Sequence, residues 1–562
     1  MRQPSRVSQA PARSSRRHLP ALALASAALL AGVPSPVLAQ KVEVPIASAD
    51  RKPSPLPEGE RIELTLQQAI ALALRNALDL DVASYGYEKA AFSLGSAQGI
   101  FDAALSAELT AQRNETPPVR SLQATDSRSQ TGNIFVGGLL PWGTTYEAGW
   151  TNRRNDSPSV GTELIPGYIE INPTYSSSLS ASIVQPLLRD FGKLVSTRLI
   201  VQSRIARDQA AWSFVSAVQT TIQTVENAYW DLLYANENLK AKTEALERAK
   251  DLNRITKIKI DVGALAPIEI VQTEVTIAQR EQEIIVAEGL IGDAQDRLKR
   301  ILNVKGEVEW DRPIVPADKP VMETREFDVE AGIQRALELR PEVKQAVVDI
   351  ESKKVSLAYN RNQLKPRLDL SAGYGLSGVG YNKTLEGPEG GYVSRDYMDA
   401  LYQIRDADYP GWNVGLSFSV PILNRTAKGN VAVAATDLEL SRTNLTILKQ
   451  NLQLEVRAAA RAVDTAKRSV VAAKKSRELA ERNLDAEKKK YENGMTTSFQ
   501  VSQIQNDLTA ARTGELQAIL GYTRSVVAWH RAVGDLLEVK GVDLQGLPVP
   551  TGATPPEEGA LR

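Results

Sequence analysis

The chain has 562 residues with 67 basic and 67 acidic side chains, no cysteine and two histidines. Its balanced charge argues against nucleic acid as a partner, because binding to phosphates requires a basic surface. The lack of cysteine excludes disulfides and thiolate metal sites, and one histidine, His530, cannot build a His-based metal cluster once the N-terminal leader is removed. We therefore expect no metal, no cofactor and no catalytic residue, and we expect His530 to be a packed or solvated side chain.

Residues 1–39 are typical of a signal peptide. They contain five arginines, no acidic residue, an apolar stretch from Leu19 to Val33 and then Val37-Leu38-Ala39, which suits signal peptidase. The mature chain is expected to begin near Gln40, outside the cytoplasm, with 62 basic and 67 acidic residues. Beyond the leader we find no run of 18 apolar residues, so the mature chain is predicted either to be soluble in the periplasm or to span a membrane as a β-barrel.

The mature sequence reads as two copies of one unit. Leu66–Leu74 resembles Val329–Leu337, and each segment is predicted to open an amphipathic helix that leads toward a strand. Pro186 and Pro421 occupy matching positions where a strand gives way to a helix. The predicted organisation is a linker at 40–61, repeat 1 at 62–310, a linker at 311–326, repeat 2 at 327–538 and a C-terminal tail at 539–562.

Two-faced strands are predicted in both repeats. Apolar and polar residues alternate from residue 101 to 110 and from 367 to 374, which is the period of a half-buried strand. Each run has about the ten residues of a tilted strand that crosses an outer membrane. A soluble β-sandwich shows the same alternation. In the last strand of repeat 2, four apolar residues alternate with polar or small ones and are expected to face lipid: Val414, Leu416, Phe418 and Val420.

The long helices predicted in both repeats argue against a soluble β-sandwich. Positions 218 to 246 and 452 to 473 step by four and three residues and carry mostly apolar side chains, which is a heptad seam. The stretches 194–261 and 424–492 would each rise about 100 Å as helices. A helix follows each stretch, so each repeat is predicted to contain a helical hairpin. The hairpin tips are predicted at Val262 and Gly263 in repeat 1 and at Asn493 and Gly494 in repeat 2.

This combination resembles the TolC family of outer-membrane efflux proteins over residues from about 62 to 538. The most specific pieces are Leu416-Ser-Phe-Ser-Val-Pro-Ile422, the two tip segments and the proline after each strand. The resemblance implies a trimeric outer-membrane β-barrel continued by a periplasmic α-helical coiled-coil barrel. It also implies a homotrimer in outer-membrane lipid, working with a periplasmic adaptor protein and an inner-membrane pump in efflux or type I secretion. We expect no enzyme activity.

The resemblance leaves the number of strands open. Four strands per protomer would give 12 in a trimer, but residues 134–152 hold an extra hairpin-like segment with Pro141-Trp142-Gly143 as its turn. If this hairpin entered the membrane, the trimer would have 18 strands; alternatively, it extends above the membrane. The polar stretches 113–129 and 380–410 are predicted to be surface loops.

The resemblance also suggests residues at the periplasmic mouth. Glu269 and Tyr491 occupy the positions of a linked acid–tyrosine pair. Gln500 and Gln503 stand where related channels place a ring of acids, which predicts a mouth that binds cations less well. Asp507 lies one further turn along the same helix face and is a candidate for a deeper ring, or else a solvated helix residue.

Two other classes of protein are compatible with parts of this sequence. An exported structural or adhesive coiled-coil protein without transport activity would share the heptads and the leader, but it would not need two-faced strands at a fixed position in each half. An outer-membrane enzyme would need a convergent polar site with a nucleophile, a base or a metal, and none is evident in the sequence.

Overall fold

The computed structural model describes residue 57 and residues 60–117, 126–158, 169–318, 327–385 and 392–542. The predicted signal peptide, almost all of the first linker and residues 543–562 of the tail lie outside the described residues. Among the helices within these ranges, none has both the length and the apolar character needed to cross a bilayer.

Both halves of the chain begin with a capped amphipathic helix. The Thr65 hydroxyl accepts a hydrogen bond from the Gln68 amide, and the Gln68 side chain accepts one from the Thr65 amide. This capping box satisfies amides that a helix start leaves unpaired. In the second half, the Asp328 carboxylate accepts hydrogen bonds from the Glu330 and Ala331 amides at the start of the helix. The four helices concerned are α1 (Leu66–Asn76), α2 (Leu78–Gln98), α7 (Val329–Leu339) and α8 (Pro341–Asn362).

Two hairpins are built from the four longest helices of the described chain. Their members are α4 (Arg198–Asp261), α5 (Ile268–Ile301), α10 (Arg425–Glu492) and α11 (Ser498–Val533). At 64 and 68 residues, α4 and α10 are each about 100 Å long. The short helices are α3 (Lys193–Ser196), α6 (Glu307–Asp311), α9 (Tyr397–Asp406) and α12 (Leu536–Val539), and a 3₁₀ turn spans Gly99–Phe101.

Apolar seams hold the helices together, as the heptads predict. Val218, Ile222, Val225 and Tyr229 of α4 are buried in a cluster that also contains residues from α1 and α5. A small parallel sheet of β1 (Ile62–Leu64) and β6 (Ile314–Pro316) packs on the same part of α4. A second cluster joins Val456 and Val463 of α10 to α7 and α11. Beside it, His530 is packed and lies 2.9 Å from the Asp535 carboxylate.

Within the part of the chain that the structure describes, the second sheet contains seven strands. Its long members run in the order β2, β3, β4, β5, β7 and β9, every neighbouring pair is antiparallel, and the short β8 pairs with the end of β7. The strands are β2 (Ala104–Glu115), β3 (Asp126–Leu139), β4 (Thr145–Asp156), β5 (Ile169–Pro186), β7 (Arg367–Leu385), β8 (Tyr392–Arg395) and β9 (Pro410–Ser419). Helices α2, α4, α8 and α10 adjoin one end of these strands, which we call the proximal end; the opposite end is the distal end.

The extra hairpin of repeat 1 is β3 and β4, and it lies inside this sheet. Its turn is at the proximal end, where the Gly192 amide donates to the Trp142 carbonyl at 3.2 Å. Gly143 has a φ of +94°, and a Cβ there would lie 2.5 Å from the Asp190 carbonyl oxygen, so this turn requires glycine. The hairpin is therefore a full-length part of the sheet and does not stand beyond its distal end.

Three boundaries differ from the sequence predictions. The stretch 194–261 is not one helix, because α3 ends at Ser196 and α4 begins at Arg198. Both ends of 113–129 are strand rather than loop, since β2 and β3 continue as a ladder to Glu115 and Asp126. Within 380–410 the chain forms the end of β7, then β8 and α9; a capping box of Asp396 and Asp399 starts α9. The polar composition of 113–129 and 380–410 predicted loops, but polar residues also pair in strands and cap helices.

Candidate membrane face, helix tips and mouth

One face of the seven-stranded sheet is apolar across all six long strands. Leu370 pairs with Leu416, and Ala372 with Val414, so apolar side chains stand beside one another from strand to strand. Leu416 is 66% exposed in the protomer. The exposed apolar side chains on this face are Leu105, Leu109, Ile134, Val136, Trp150, Leu179, Ile183, Leu370, Tyr374, Trp412, Val414, Leu416 and Phe418. Val420, the fourth predicted lipid-facing residue, is exposed just beyond β9.

The opposite face of the same sheet is mostly polar or small, although it also carries the apolar residues Phe135 and Val184. Ser417 pairs with Asp369 and Asn413 with Gly373, while β5 presents a row of serines. Strand residues alternate between the two faces, so this difference follows directly from the sequence. A sheet with one continuous apolar face and one polar face suits a boundary between lipid and water.

A polar border ends the apolar face at the distal end. Arg113 and Arg128 both contact Asp126, at 3.0 and 2.9 Å. Nearby, the Tyr397 hydroxyl of α9 donates to Asn152 at 2.6 Å, and α9 packs so closely on the sheet that a Cβ at Gly378 would lie 2.0 Å from a carbonyl oxygen. The sequence predictions missed this border because its residues come together only through strand pairing.

The two helix tips have the same backbone construction. The Gly263 amide donates to the Ile260 carbonyl, and the next amide donates to Lys259. The Gly494 amide donates to Tyr491, and the next amide donates to Lys490. This is a Schellman ending with glycine in the left-handed region, at φ +75° and +74°. Val262 and Asn493, which cap the two helices, are exposed.

Apolar side chains surround both tip glycines. Val262 is 72% exposed, and other exposed apolar residues at the tips are Ile268, Val271, Met495 and Phe499. Exposed apolar patches of this kind mark surfaces that contact another protein. Met495 and Phe499 were not among the predicted site residues, although their position next to the tip turn could have indicated them.

Glu269 and Tyr491 each have a hydrogen-bond partner within the protomer. The Ser498 hydroxyl donates to the Glu269 carboxylate, which joins α5 to α11. The Tyr491 hydroxyl lies 2.6 Å from the Thr256 hydroxyl, which joins α10 to α4. Tyr491 is 2% exposed and packs among apolar residues of both hairpins; burial raises its pKa, and so does the negative charge of Glu269. Both residues therefore link helices within one protomer, and the predicted acid–tyrosine link between hairpin tips stays a prediction.

Gln500, Gln503 and Asp507 share one exposed side of α11. Their spacing of three and four residues places them on one helix face. The other side of the helix is buried through Val501, Ile504 and Leu508. Within the described chain, no group of three or more His, Asp or Glu side chains is arranged to hold a metal ion.

Comparison with known proteins agrees with this architecture. The profile of the family "Outer membrane efflux protein" matches residues 143–304 and 332–535, which is more than half of the chain. No curated protein sequence gives a significant match.

Solved structures of outer-membrane channels share the fold. The Campylobacter jejuni CmeC channel is 18% identical with a TM-score of 0.59, covering 84% of this chain and 86% of that one. VceC from Vibrio cholerae is 14% identical with a TM-score of 0.59, covering 84% of this chain and 96% of that one. The open state of MtrE from Neisseria gonorrhoeae is 15% identical with a TM-score of 0.57, covering 84% of this chain and 89% of that one.

The fold and the match to this profile define a class of channel-type efflux proteins rather than enzymes. The chain belongs to the outer membrane efflux protein family. It is an outer-membrane efflux channel of the TolC type. This assignment favours transport over the structural or adhesive alternative.

Proposed function

We propose that three copies of this chain form one continuous duct that receives substrates from a periplasmic adaptor and an inner-membrane pump and releases them outside the cell. The observation that carries this proposal is the pair of open edges on each protomer. Within the described residues, β2 pairs only with β3, and β9 pairs only with β7. Unpaired strand edges leave backbone donors and acceptors that a bilayer cannot satisfy, so identical copies must pair them.

The row of helices in each protomer also has an unpaired side at each end. Contacts run from α2 to α4, from α4 to α8 and from α8 to α10, so α2 and α10 are the outer members of the row. Each carries exposed apolar residues at heptad-like spacing. On α2 they are Leu78, Val82, Tyr85 and Phe92; on α10 they are Val433, Leu440, Ile447 and Leu454.

These open sides coincide with the open strand edges. The chain passes from α2 into β2 and from β9 into α10. One side of the protomer therefore presents α2 with β2, and the other presents α10 with β9. A head-to-tail ring of identical copies buries both sides at once, and this coincidence supports a closed ring.

Detergent-extracted protein tests the duct directly. The expected result is a trimer that conducts ions in planar bilayers. A stable monomer without conductance would reject the proposal, and an adhesive coiled-coil protein would give that result. Cross-linking in membranes followed by affinity capture should recover an adaptor and an inner-membrane pump, and the class of that pump would identify the substrates.

The tips are proposed to dock the adaptor. Gly494→Trp should reduce cross-linking to the adaptor and reduce efflux, because the side chain would stand in the exposed apolar patch and the left-handed backbone disfavours any residue with a Cβ, by about 1–2 kcal/mol. Apart from its two chain neighbours, no atom of the protomer lies within 4 Å of the Cβ position at Gly494, so the trimer itself should persist.

A matched control is Gly289→Trp. Gly289 also has open space around its Cβ position, but it lies within α5, about 30 Å along the helices from the tip at 1.5 Å per residue. This variant should keep adaptor cross-linking near the wild-type level. Undiminished docking and efflux in Gly494→Trp, at normal trimer levels, would count against the assignment of the tips.

Gln500 and Gln503 are proposed to line the mouth, with Asp507 one turn deeper. Their amides carry no charge, so the entrance should be weakly selective and poorly blocked by multivalent cations. Gln500→Asp with Gln503→Asp would place six carboxylates near the trimer axis. Cation selectivity and block by trivalent cations should then rise in single-channel recordings, even though mutual repulsion keeps some carboxylates protonated.

The control for this pair is Gln450→Asp with Gln453→Asp. These two glutamines have the same spacing and are also exposed, but they lie in the middle of α10, far from the mouth. They should leave trivalent block unchanged. If the Gln500 and Gln503 variant behaves like this control in a correctly assembled trimer, the proposed pore-lining register is wrong.

A further inference from the structure

Among the described residues, the inserted hairpin raises the number of long strands in one protomer to six. β3 and β4 are 14 and 12 residues long and pair along their whole length with each other and with β2 and β5. Without them, β2 and β5 would be neighbours and the protomer would have four long strands. The hairpin is therefore an addition to the wall of the sheet.

The directions of the strands allow copies to join edge to edge. Since every neighbouring pair is antiparallel, β2 and β9 run in opposite directions across the protomer. β2 of one copy and β9 of the next can then form an ordinary antiparallel ladder. Both strands are almost entirely exposed, and both place apolar residues on the same face of the sheet, which keeps that face continuous across the junction.

We propose that β2 of each protomer pairs with β9 of the next, so that the membrane ring has eighteen strands and keeps the bore of the helical tube through the membrane. This inference rests on the proposed trimeric duct. Eighteen strands spaced about 4.8 Å apart and tilted by about 40° close into a ring about 36 Å across, whereas twelve strands give about 24 Å.

The helical part of the duct sets the width that the strands must match. The row α2, α4, α8 and α10 contributes four helices per protomer and twelve per trimer. Twelve helices with axes about 9 Å apart form a ring about 34 Å across. At this tilt, the eighteen-stranded ring has nearly the same width as the ring of twelve helices.

The absence of native cysteine makes disulfide mapping a direct test. Asn413→Cys or Ser417→Cys in β9 is combined in turn with cysteine at Ser106, Glu108, Thr110 or Gln112 of β2, all on the polar face. Oxidation of the trimer should convert at least one combination into covalent dimers and trimers, because paired strands bring Cβ atoms within about 4.5 Å.

The decisive control is Glu108→Cys with Ser178→Cys. In the protomer these residues are separated by β3 and β4, about 14 Å at three strand spacings, so no disulfide should form. A link within one chain between these two positions would overturn the six-stranded arrangement. So would the absence of any β2–β9 link across the whole set in protein that still forms conducting trimers.

The width of the bore has its own measurement. Electron microscopy of trimers in lipid nanodiscs should show strand and helix rings of nearly equal width. A strand ring about one third narrower than the helix ring would contradict the inference. Failure of the proposed function would be visible separately, as loss of trimer and conductance in the parent protein without cysteine.

Discussion

Leu416→Arg should remove most assembled trimer from outer-membrane fractions, whereas Ser417→Arg, one residue along the same strand, should leave it largely intact. Leu416 lies on the apolar face opposite Leu370, and Ser417 lies on the polar face opposite Asp369. An arginine on the lipid face near the middle of a bilayer costs about 2–4 kcal/mol, and a trimer bears this cost three times. An arginine at position 417 meets water and a carboxylate.

The measurement is the amount of trimer in outer-membrane fractions on unheated gels, normalised to total chain. Leu416→Ala is a useful third variant, because it removes apolar area without adding charge and should reduce assembly less than arginine does. Equal assembly of the two arginine variants would show that the two faces of β9 are not assigned correctly.

The second large effect is expected at Arg340, which is 7% exposed. Its guanidinium donates to Glu342 at 2.9 Å and to Glu455 of α10 at 3.1 Å. It also donates to the carbonyls of Arg531 and Ala532 near the end of α11, at 3.2 and 3.3 Å. One side chain thus joins the α7–α8 junction to both long helices of repeat 2 and caps a helix C-terminus.

Arg340→Met should lower the free energy of unfolding by on the order of 3 kcal/mol, because two carboxylates and two nearly buried carbonyls lose their donor. The measurement is the thermal unfolding midpoint of the detergent-purified protein. Arg335→Met is the control: Arg335 contacts Glu538 at 2.7 Å, but its side chain is 48% exposed, and exposed ion pairs contribute less than about 1 kcal/mol. Equal losses in the two variants would argue against a structural role for the buried arginine.

The predicted fold class is confirmed by the family assignment and the shared fold. Periodicity is the reason for this success. Alternation along β9 places Leu416 and Ser417 on opposite faces, and heptad spacing along α4 predicts the buried seam at Val218, Ile222 and Val225. Both patterns depend only on local geometry, since side-chain directions repeat every two residues in a strand and every 3.6 in a helix.

The predicted site residues were less well determined. Counting from the tip glycines suggested a link between Glu269 and Tyr491, which stays a prediction; within one protomer, their hydrogen-bond partners are Ser498 and Thr256. A shift of one helix turn changes which side chains meet across two hairpins, and the sequence of one helix contains no measure of that shift. The roles of the tip and mouth residues remain predictions.

Local sequence patterns were sufficient to predict the two repeats, the faces of the strands, the long helices and the glycines at the tips, because each depends on residues close together in the chain. The way in which distant segments meet is visible only in the folded chain. It placed β3 and β4 between β2 and β5, brought the Trp142 turn against Gly192, and gave Arg340 its partners on α10 and α11. These contacts depend on strand order and helix register, which many long-range contacts fix together and no local pattern encodes.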